Sequence, residues 1–461
     1  MLGWFALALL LAALALLHPI DHDESQYVAA AVLAAHGLLP YRDFAYLQTP
    51  LQPFLLAPVT WTAGRFAWPV LRIVNSLFGA VAIRCVFGAA REIAGRRTAL
   101  AAAALFGCTD ILLFAAGTAR NDALPAACLA GALWLAIRAE RARGSRWQAV
   151  ATGLLLAAAA AAKLSYALPA MVYGMWALWQ HRRHRPLFVM LGAAPVGLFV
   201  ACMWRLSPQA FGFDVFTFPV AGPADFYADR PWKLSRAAKL ADTVKFLALG
   251  PALVALLMVV RRRMPALLVL LTVAGLIAAM LPTPVWRQYL LPMLPPLFVL
   301  LSHRWGRTPP GAAVRALMGM FAVAGLAPTA VALASGQPSV FAAMREMAAV
   351  RAAMDRAGAA GPVATLSPQF LAATGRLPDP RFATGPFYFR SRSLQPPGGE
   401  LVQHVISARA LPCVPLPRMV LVGGEGVWTS GDPRLDALLA LAATQRGYRG
   451  VPVGRWTLYV R

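Results

Sequence analysis

The stretch "MLGWFALALLLAALALLHPIDHDESQYVAAAVLAAHGLLP", residues 1–40, changes character at one point. Up to Leu17 it is uncharged and mostly aliphatic, and then Asp21, Asp23 and Glu24 arrive together before the chain turns apolar again. A helix needs about 20 mainly apolar residues to cross about 30 Å of hydrocarbon. The opening block therefore reads as a membrane span that emerges at an acidic mouth. It has no basic stretch in front and no small-x-small cleavage site behind, so it is expected to stay as an anchor and not to be removed as a signal peptide.

The rest of the chain repeats that pattern. Of 461 residues, 59% are hydrophobic and 13% charged, more apolar and far less charged than a soluble protein. Apolar blocks fall at about 2–17, 69–90, 98–116, 122–137, 147–163, 165–180, 187–204, 243–260, 264–281, 288–302 and 312–334. The formal charge of +24 would suit a nucleic-acid binder if it were spread over a surface. Instead it sits in short clusters between the blocks: 91–97, 138–146, 181–185, 261–263 and 303–307. Short loops rich in Lys and Arg stay in the cytoplasm. Eleven spans starting from the cytoplasm place all five clusters inside, and leave the short opposite loops with Arg120, Lys163 and Arg287. Nucleic acid is thus excluded as a partner, and the basic balance is a topology signal.

The expected architecture is mainly α. It is a polytopic membrane helix bundle of about 11 transmembrane helices, with a surface-lying outer-loop helix and a small C-terminal α/β periplasmic domain. Residues 1–334 form the transmembrane module and 335–461 the C-terminal domain. The outer-loop helix is read from "DESQYVAAAVLAAHGLLP", with acids in its first turn and an apolar side. In the tail, residues 340–358 and 433–448 read as helices, and "PVATLS", "RMVLVGG" and "RWTLYVR" as strands. "GPFYFR" (385–390) carries no catalytic signal. Cys85, Cys108, Cys128 and Cys202 lie in apolar blocks and Cys413 stands alone, so no disulfide framework is implied. The wealth of Ala, Arg, Gly and Pro suggests a GC-rich bacterial genome. The expected location is accordingly a bacterial inner membrane, N-terminus cytoplasmic and C-terminal domain periplasmic.

The outer face collects ionisable groups. Asp23 and Glu24 are adjacent and cannot both point the same way, so one acts while the other caps or orients. Asp122 opens a span, Lys163 closes a run of alanines, and Arg287 sits in "PTPVWRQYLLPMLPP". Singly, each reads equally well as an interfacial anchor. Together, acids and cations on one face suit an anionic lipid headgroup, the cations for phosphate and a carboxylate for a proton. The loop histidines His18 and His22 read as solvated.

"HDESQYVAAAVLAAHGLLPYRDFAYLQTPL", many spans, and "WRQYLLPMLPPLFVL" together resemble the membrane glycosyltransferases of the C-type superfamily, in the bacterial branch near protein O-mannosyltransferases and lipid A aminoarabinose transferases. The resemblance covers about residues 1–334. It implies a glycosyltransferase that moves a sugar from a polyprenyl-phosphate donor to an acceptor hydroxyl of a lipid, glycan or protein on the periplasmic face, with inversion. Asp23 corresponds to the catalytic base, with Glu24 beside it and Asp122 as the second-loop acid. Lys163, Arg287 and Tyr289 correspond to donor-phosphate contacts. A divalent metal is the one cofactor it leaves room for, with Asp43 as a candidate ligand. The chain departs from some relatives at "LQTP", where they carry "EKP", so Gln48 stands where a phosphate-binding Lys is expected. The competing classes are a transporter or flippase for a lipid-linked or anionic substrate, and a scaffold. Against the transporter, the acids gather on one face and no half-repeat is visible.

Overall fold

The computed structural model describes residues 2–461 except 143, 261–263, 393, 427 and 430. The basic run 261–263 and part of the cluster 138–146, both expected inside, lie outside the described residues. The chain is 71% helical. Its first part runs through α1 (Leu2–Leu17), α2 (Glu24–Ala35), α3 (Leu51–Ala63), α4 (Ala67–Ile93), α5 (Arg96–Gly107), α6 (Asp110–Gly117), α7 (Ala123–Arg141), α8 (Arg146–Ala162) and α9 (Ala167–Trp179). Further long helices follow at Pro186–Leu206, Arg236–Ala248, Ala252–Val259, Ala266–Met280, Leu294–Arg307 and Ala312–Ala334.

Every expected span is largely helical, but the number that can cross a bilayer unaided is smaller than eleven. Four helical segments are long and apolar enough, and two sharply bent pairs bring the count to six among the described residues. One bent pair is α5 with α6, broken by 64° at Cys108–Thr109, and the other is Arg236–Ala248 with Ala252–Val259, broken by 101°. α1 and Ala266–Met280 are apolar but shorter. A second difference lies in the first outer loop, where α3 and a 3₁₀ turn continue into α4 as one 43-residue segment, Leu51–Ile93. The prolines at 50, 53 and 58 do not interrupt that segment. Pro50 and Pro53 fall before or within the first turn, where a missing N–H costs nothing.

The bundle is centred on α4, which packs along α7, while α7 packs on α8. α8 meets helix Pro186–Leu206 at backbone distance. A Cβ built on Gly153 would lie 1.9 Å from the Val189 carbonyl oxygen, and one on Gly192 would lie 1.9 Å from that of Val150. Only glycine permits that approach, the small-residue packing that holds helices together in lipid.

The tail forms helix Val340–Arg356, a four-stranded sheet and helix Pro433–Gln445. The strands are β1 (Val363–Ala364), β2 (Met419–Val422), β3 (Arg449–Val453) and β4 (Trp456–Val460), ordered β1-β2-β4-β3. β1 pairs parallel with β2, and the other pairs are antiparallel. β3, "RGVPV", is the strand not expected from sequence, since its Gly and Pro weaken the signal. It lies at the sheet edge, where a proline is tolerated, and a tight turn at Gly454 (φ 59°) folds it onto β4.

α2 also differs from expectation. Its residues Glu24–Leu33 are all buried, so it does not lie open on a membrane surface. Val28, Ala31 and Val32 share one hydrophobic cluster with Trp68 and Leu71 of α4 and with Val340, Met347, Phe370 and Trp456 of the tail. The helix is a central pin between bundle and sheet.

Candidate active site at the loop–bundle junction

The site is built on the short link between α6 and α7, Thr118–Asp122. Two side chains hold its carbonyls. Asn75 of α4 donates to the carbonyls of Thr118 (2.6 Å) and Arg120 (2.5 Å), and Gln52 of α3 donates to Arg120 as well, at 3.1 Å. Asn121 in turn donates to the side chain of Gln48 (3.2 Å) and to the Ala162 carbonyl at the end of α8 (3.1 Å). Lys163, Arg120 and the first outer loop are thereby locked into one frame.

Arg120 is the hub. It is buried and pairs with Asp23, with Asp21 at 3.3 Å, and with Asp122 at 3.1 Å. Asp122 also pairs with Lys163, which follows α8 in extended conformation. The Lys163 ammonium lies 5.4 Å from the centre of the Tyr289 ring. Arg120 and Arg287 both face the ring of Phe114, at 5.2 Å and 3.5 Å, and Arg287 is paired with the buried Asp110 at 2.9 Å. The structure therefore brings Asp23, Asp122, Lys163, Arg287 and Tyr289 to one region.

Glu24 faces the other way. Both its oxygens are bound by Arg72, at 2.8 and 2.5 Å, and it also accepts from the backbone N–H of Ala119 at 2.7 Å. Arg72 holds the carbonyls of Ala15, His18 and Pro19 as well. This fully buried pair clamps the end of α1 to the start of α2 and to the link before Arg120. Asp43 is elsewhere: it binds its neighbour Arg42 at 2.8 Å and accepts from the Leu39 N–H, partly in solvent.

Asp23 sits at the start of α2 but does not cap it, which leaves its carboxylate to Arg120 and to His22 at 3.0 Å. Burial opposes its ionisation, yet Arg120 and then His22 hold it well below the ordinary carboxylate value. Asp21 behaves oppositely: burial, and then the charge of Asp23, raise its affinity for a proton. Two carboxylates sharing one arginine are thus pushed apart, one firmly ionised and one nearer to protonation. His22 is not a solvated loop histidine. It stacks on Phe387 of the tail with ring centres 5.9 Å apart, and although burial opposes its charge, Asp23 lifts it to about 9.

Asp21, His22 and Asp23 offer ligand atoms within 4.8 Å of one another. Two carboxylates and an imidazole fit a divalent cation in donor type, and such an ion would add positive charge beside a leaving phosphate. It would have to share Asp23 with Arg120, which already supplies a cation there. Asp43 has no part in this cluster.

Residues 48–204 match the family model described as dolichyl-phosphate-mannose-protein mannosyltransferase. Solved structures that match over nearly the whole chain include two of one protein. ArnT from Cupriavidus metallidurans bound to undecaprenyl phosphate is 17% identical with a TM-score of 0.59, covering 99% of this chain and 97% of that one. The chain has the fold of the C-type membrane glycosyltransferases. The same ArnT in the apo state gives 16% identity and a TM-score of 0.56, over the same shares of the two chains. No curated protein sequence matches. The resemblance read from the sequence is borne out, the fold by the structural matches and the glycosyltransferase class by the family model. The matched segment includes Gln48, Arg72, Arg120, Asp122 and Lys163.

Sequence reasoning did not single out Arg120 as the hub, nor Arg72 and Asp110, and it read His22 as a solvated loop residue. Arg120 and Arg72 had a signal available: each is a charged residue inside or beside an apolar block, where it must find a partner.

Proposed function

We propose that the protein transfers a sugar from a polyprenyl-phosphate donor to an acceptor hydroxyl of a lipid, glycan or protein, on the outer face of a bacterial inner membrane. The observation that carries this reading is the Asp23–Arg120–Asp122–Lys163 network, where acids and cations meet at the mouth of an apolar bundle. The donor's lipid stays in the bilayer and its phosphate comes to Lys163 and Arg287, beside Tyr289. The acceptor hydroxyl bonds to Asp23 and attacks the anomeric carbon from the side opposite the phosphate. A carbon–oxygen bond forms to the acceptor, the bond to the phosphate oxygen breaks, and the anomeric centre inverts. The acceptor's proton passes to the Asp21–Asp23 pair and polyprenyl phosphate departs with the electron pair, its charge stabilised by the fixed cations.

Asp23 in its resting pairing is a weak base. A donor phosphate that draws Arg120 toward itself would loosen that hold and raise the proton affinity of Asp23. The phosphate would thus help to arm the base as it arrives. Asp122 keeps Arg120 and Lys163 side by side, and Glu24 acts through position alone.

The test is sugar release from a panel of polyprenyl-phosphate sugars by purified protein, with lipid extract as the source of acceptors. Asp23→Asn is expected to lower turnover by about 10²–10⁴-fold while the melting temperature stays within a few degrees. Turnover equal to wild type would remove Asp23 from the chemistry. No release from any donor by either protein would favour a transporter of a lipid-linked substrate.

A further inference from the structure

The cations assigned above to phosphate are all engaged by carboxylates: Arg120 with Asp21, Asp23 and Asp122, Lys163 with Asp122, and Arg287 with Asp110. Arg390 of the tail differs. It follows the short helix Pro386–Phe389, and its guanidinium lies 4.0 Å from the centre of the Phe226 ring and 5.2 Å from that of Phe387. Among the described residues its guanidinium has no hydrogen-bond acceptor and no carboxylate within ion-pair distance, and only its backbone N–H is paired, with the Pro386 carbonyl at 3.2 Å. It is largely enclosed. Burial holds it below the ordinary arginine value, and the negative charge of Asp23 and other nearby acids only partly opposes that.

An enclosed charge without a partner is costly, so its position needs a reason. Holding the tail to the second outer loop is not a sufficient one. Arg392, two residues on, already does that: its N–H donates to Asp225 at 2.6 Å and its guanidinium pairs with Asp229. Nor does Arg390 serve Asp23 directly, since Arg120 and His22 take that carboxylate. What remains is a planar cation held by two aromatic rings on the Asp23 side of the site. His22, in contact with Asp23, stacks on the same Phe387 ring.

We propose that Arg390 is the tail's contribution to substrate binding, an anion contact that takes a phosphoryl oxygen of the substrate next to Asp23. The phosphoryl group belongs either to the sugar donor or to an anionic acceptor headgroup. Arginine suits both, because its fork of N–H groups matches phosphate oxygens while the ring contacts keep it flat. The second outer loop and the tail then close the site from outside, with Phe226 and Phe387 setting the angle of the guanidinium.

This rests on the transferase reading, and the experiment separates the two. Binding of polyprenyl monophosphate, and of phosphatidylglycerol as an acceptor-headgroup probe, is measured in detergent for the full chain as wild type, Arg390→Gln, Arg390→Lys and Arg392→Ala. The expected result is about tenfold weaker binding of one of the two lipids by Arg390→Gln, partial recovery in Arg390→Lys, and wild-type affinity in Arg392→Ala. A loss confined to polyprenyl monophosphate assigns the contact to the donor, and one confined to phosphatidylglycerol assigns it to the acceptor. Wild-type affinity for both lipids in Arg390→Gln overturns the inference, as does equal weakening by Arg392→Ala, which would make the effect structural. If wild type itself binds no polyprenyl monophosphate, the transferase reading fails first.

Discussion

At the scale of single residues, the acids of the outer face divide by what lies beside them. Glu24 is spent on Arg72, Asp23 on Arg120, and neither role is visible in the dipeptide they share. A third group of acids lies in the tail. Glu425 accepts from Ser367 at 2.9 Å, and Asp436 accepts from the N–H groups of Gly423 and Glu425, both at 2.9 Å. Burial lifts Glu425 to about 7 and Asp436 to about 6, although His22 pulls Glu425 down and backbone donors pull Asp436 down. Both folded values lie above the unfolded ones, so the folded state binds more protons in between and its stability falls as pH rises. For Glu425 the loss runs from about pH 4.5 to 7 and amounts to about 3 kcal/mol at most. Protection of the amides at 419–425, that is, exchange relative to the intrinsic rate at each pH, should therefore fall from pH 5 to pH 7.5. Glu425→Gln, neutral and nearly the same shape, should flatten that trend and exchange more slowly than wild type at pH 7.5. An unchanged slope would show that Glu425 does not titrate in this range.

At the scale of elements, the close crossing of α8 with helix Pro186–Leu206 is the sharpest constraint. A methyl group at Gly153 would meet a backbone carbonyl that no rotamer change can move. Gly153→Ala should cost about 1–3 kcal/mol, read as a lower melting temperature in detergent. Gly197→Ala, on the same partner helix but with nothing within 4 Å of the added carbon, should be neutral or slightly stabilising. Equal effects would mean that the helices separate more easily than their spacing suggests. The broken pair α5–α6 shows another use of an interrupted helix. The bend at Cys108–Thr109 places Asp110 at the start of α6, where it meets Arg287, 177 residues further along the chain.

At the scale of the whole molecule, tail and bundle share one core. Phe370 stacks edge-on to both Trp68 of α4 and Trp456 of β4, with ring centres 5.0 Å and 4.9 Å apart. Trp456 also donates to Glu346 at 3.1 Å. Trp456→Ala should cost about 3–5 kcal/mol. Because the cluster continues into α2, limited proteolysis of this variant should cut in the first outer loop, around 36–48, as well as in the tail. Cuts confined to the tail would show two independently stable parts. Through this core the tail holds Phe387 and Arg390 beside the turn His22–Asp23 that leads into α2.

The amino-acid sequence by itself determined that this is a membrane-embedded helical protein with a mixed α/β tail, and that its ionisable outer residues are the ones to examine. Apolar blocks, clustered arginines and an acidic turn are local patterns, set by the cost of placing charge or open backbone in hydrocarbon. It also yielded Asp23, Asp122, Lys163, Arg287 and Tyr289 as residues of one region, through family resemblance. Only the tertiary structure decided which acid meets which cation, because those partners lie tens to hundreds of residues apart: Glu24 with Arg72, Asp23 with Arg120, Asp110 with Arg287. It alone enclosed α2, separated Asp43 from the other acids and, among the described residues, left the Arg390 guanidinium without a carboxylate within ion-pair distance. Burial and ion pairing are properties of three-dimensional neighbours, and no periodicity along the chain encodes them.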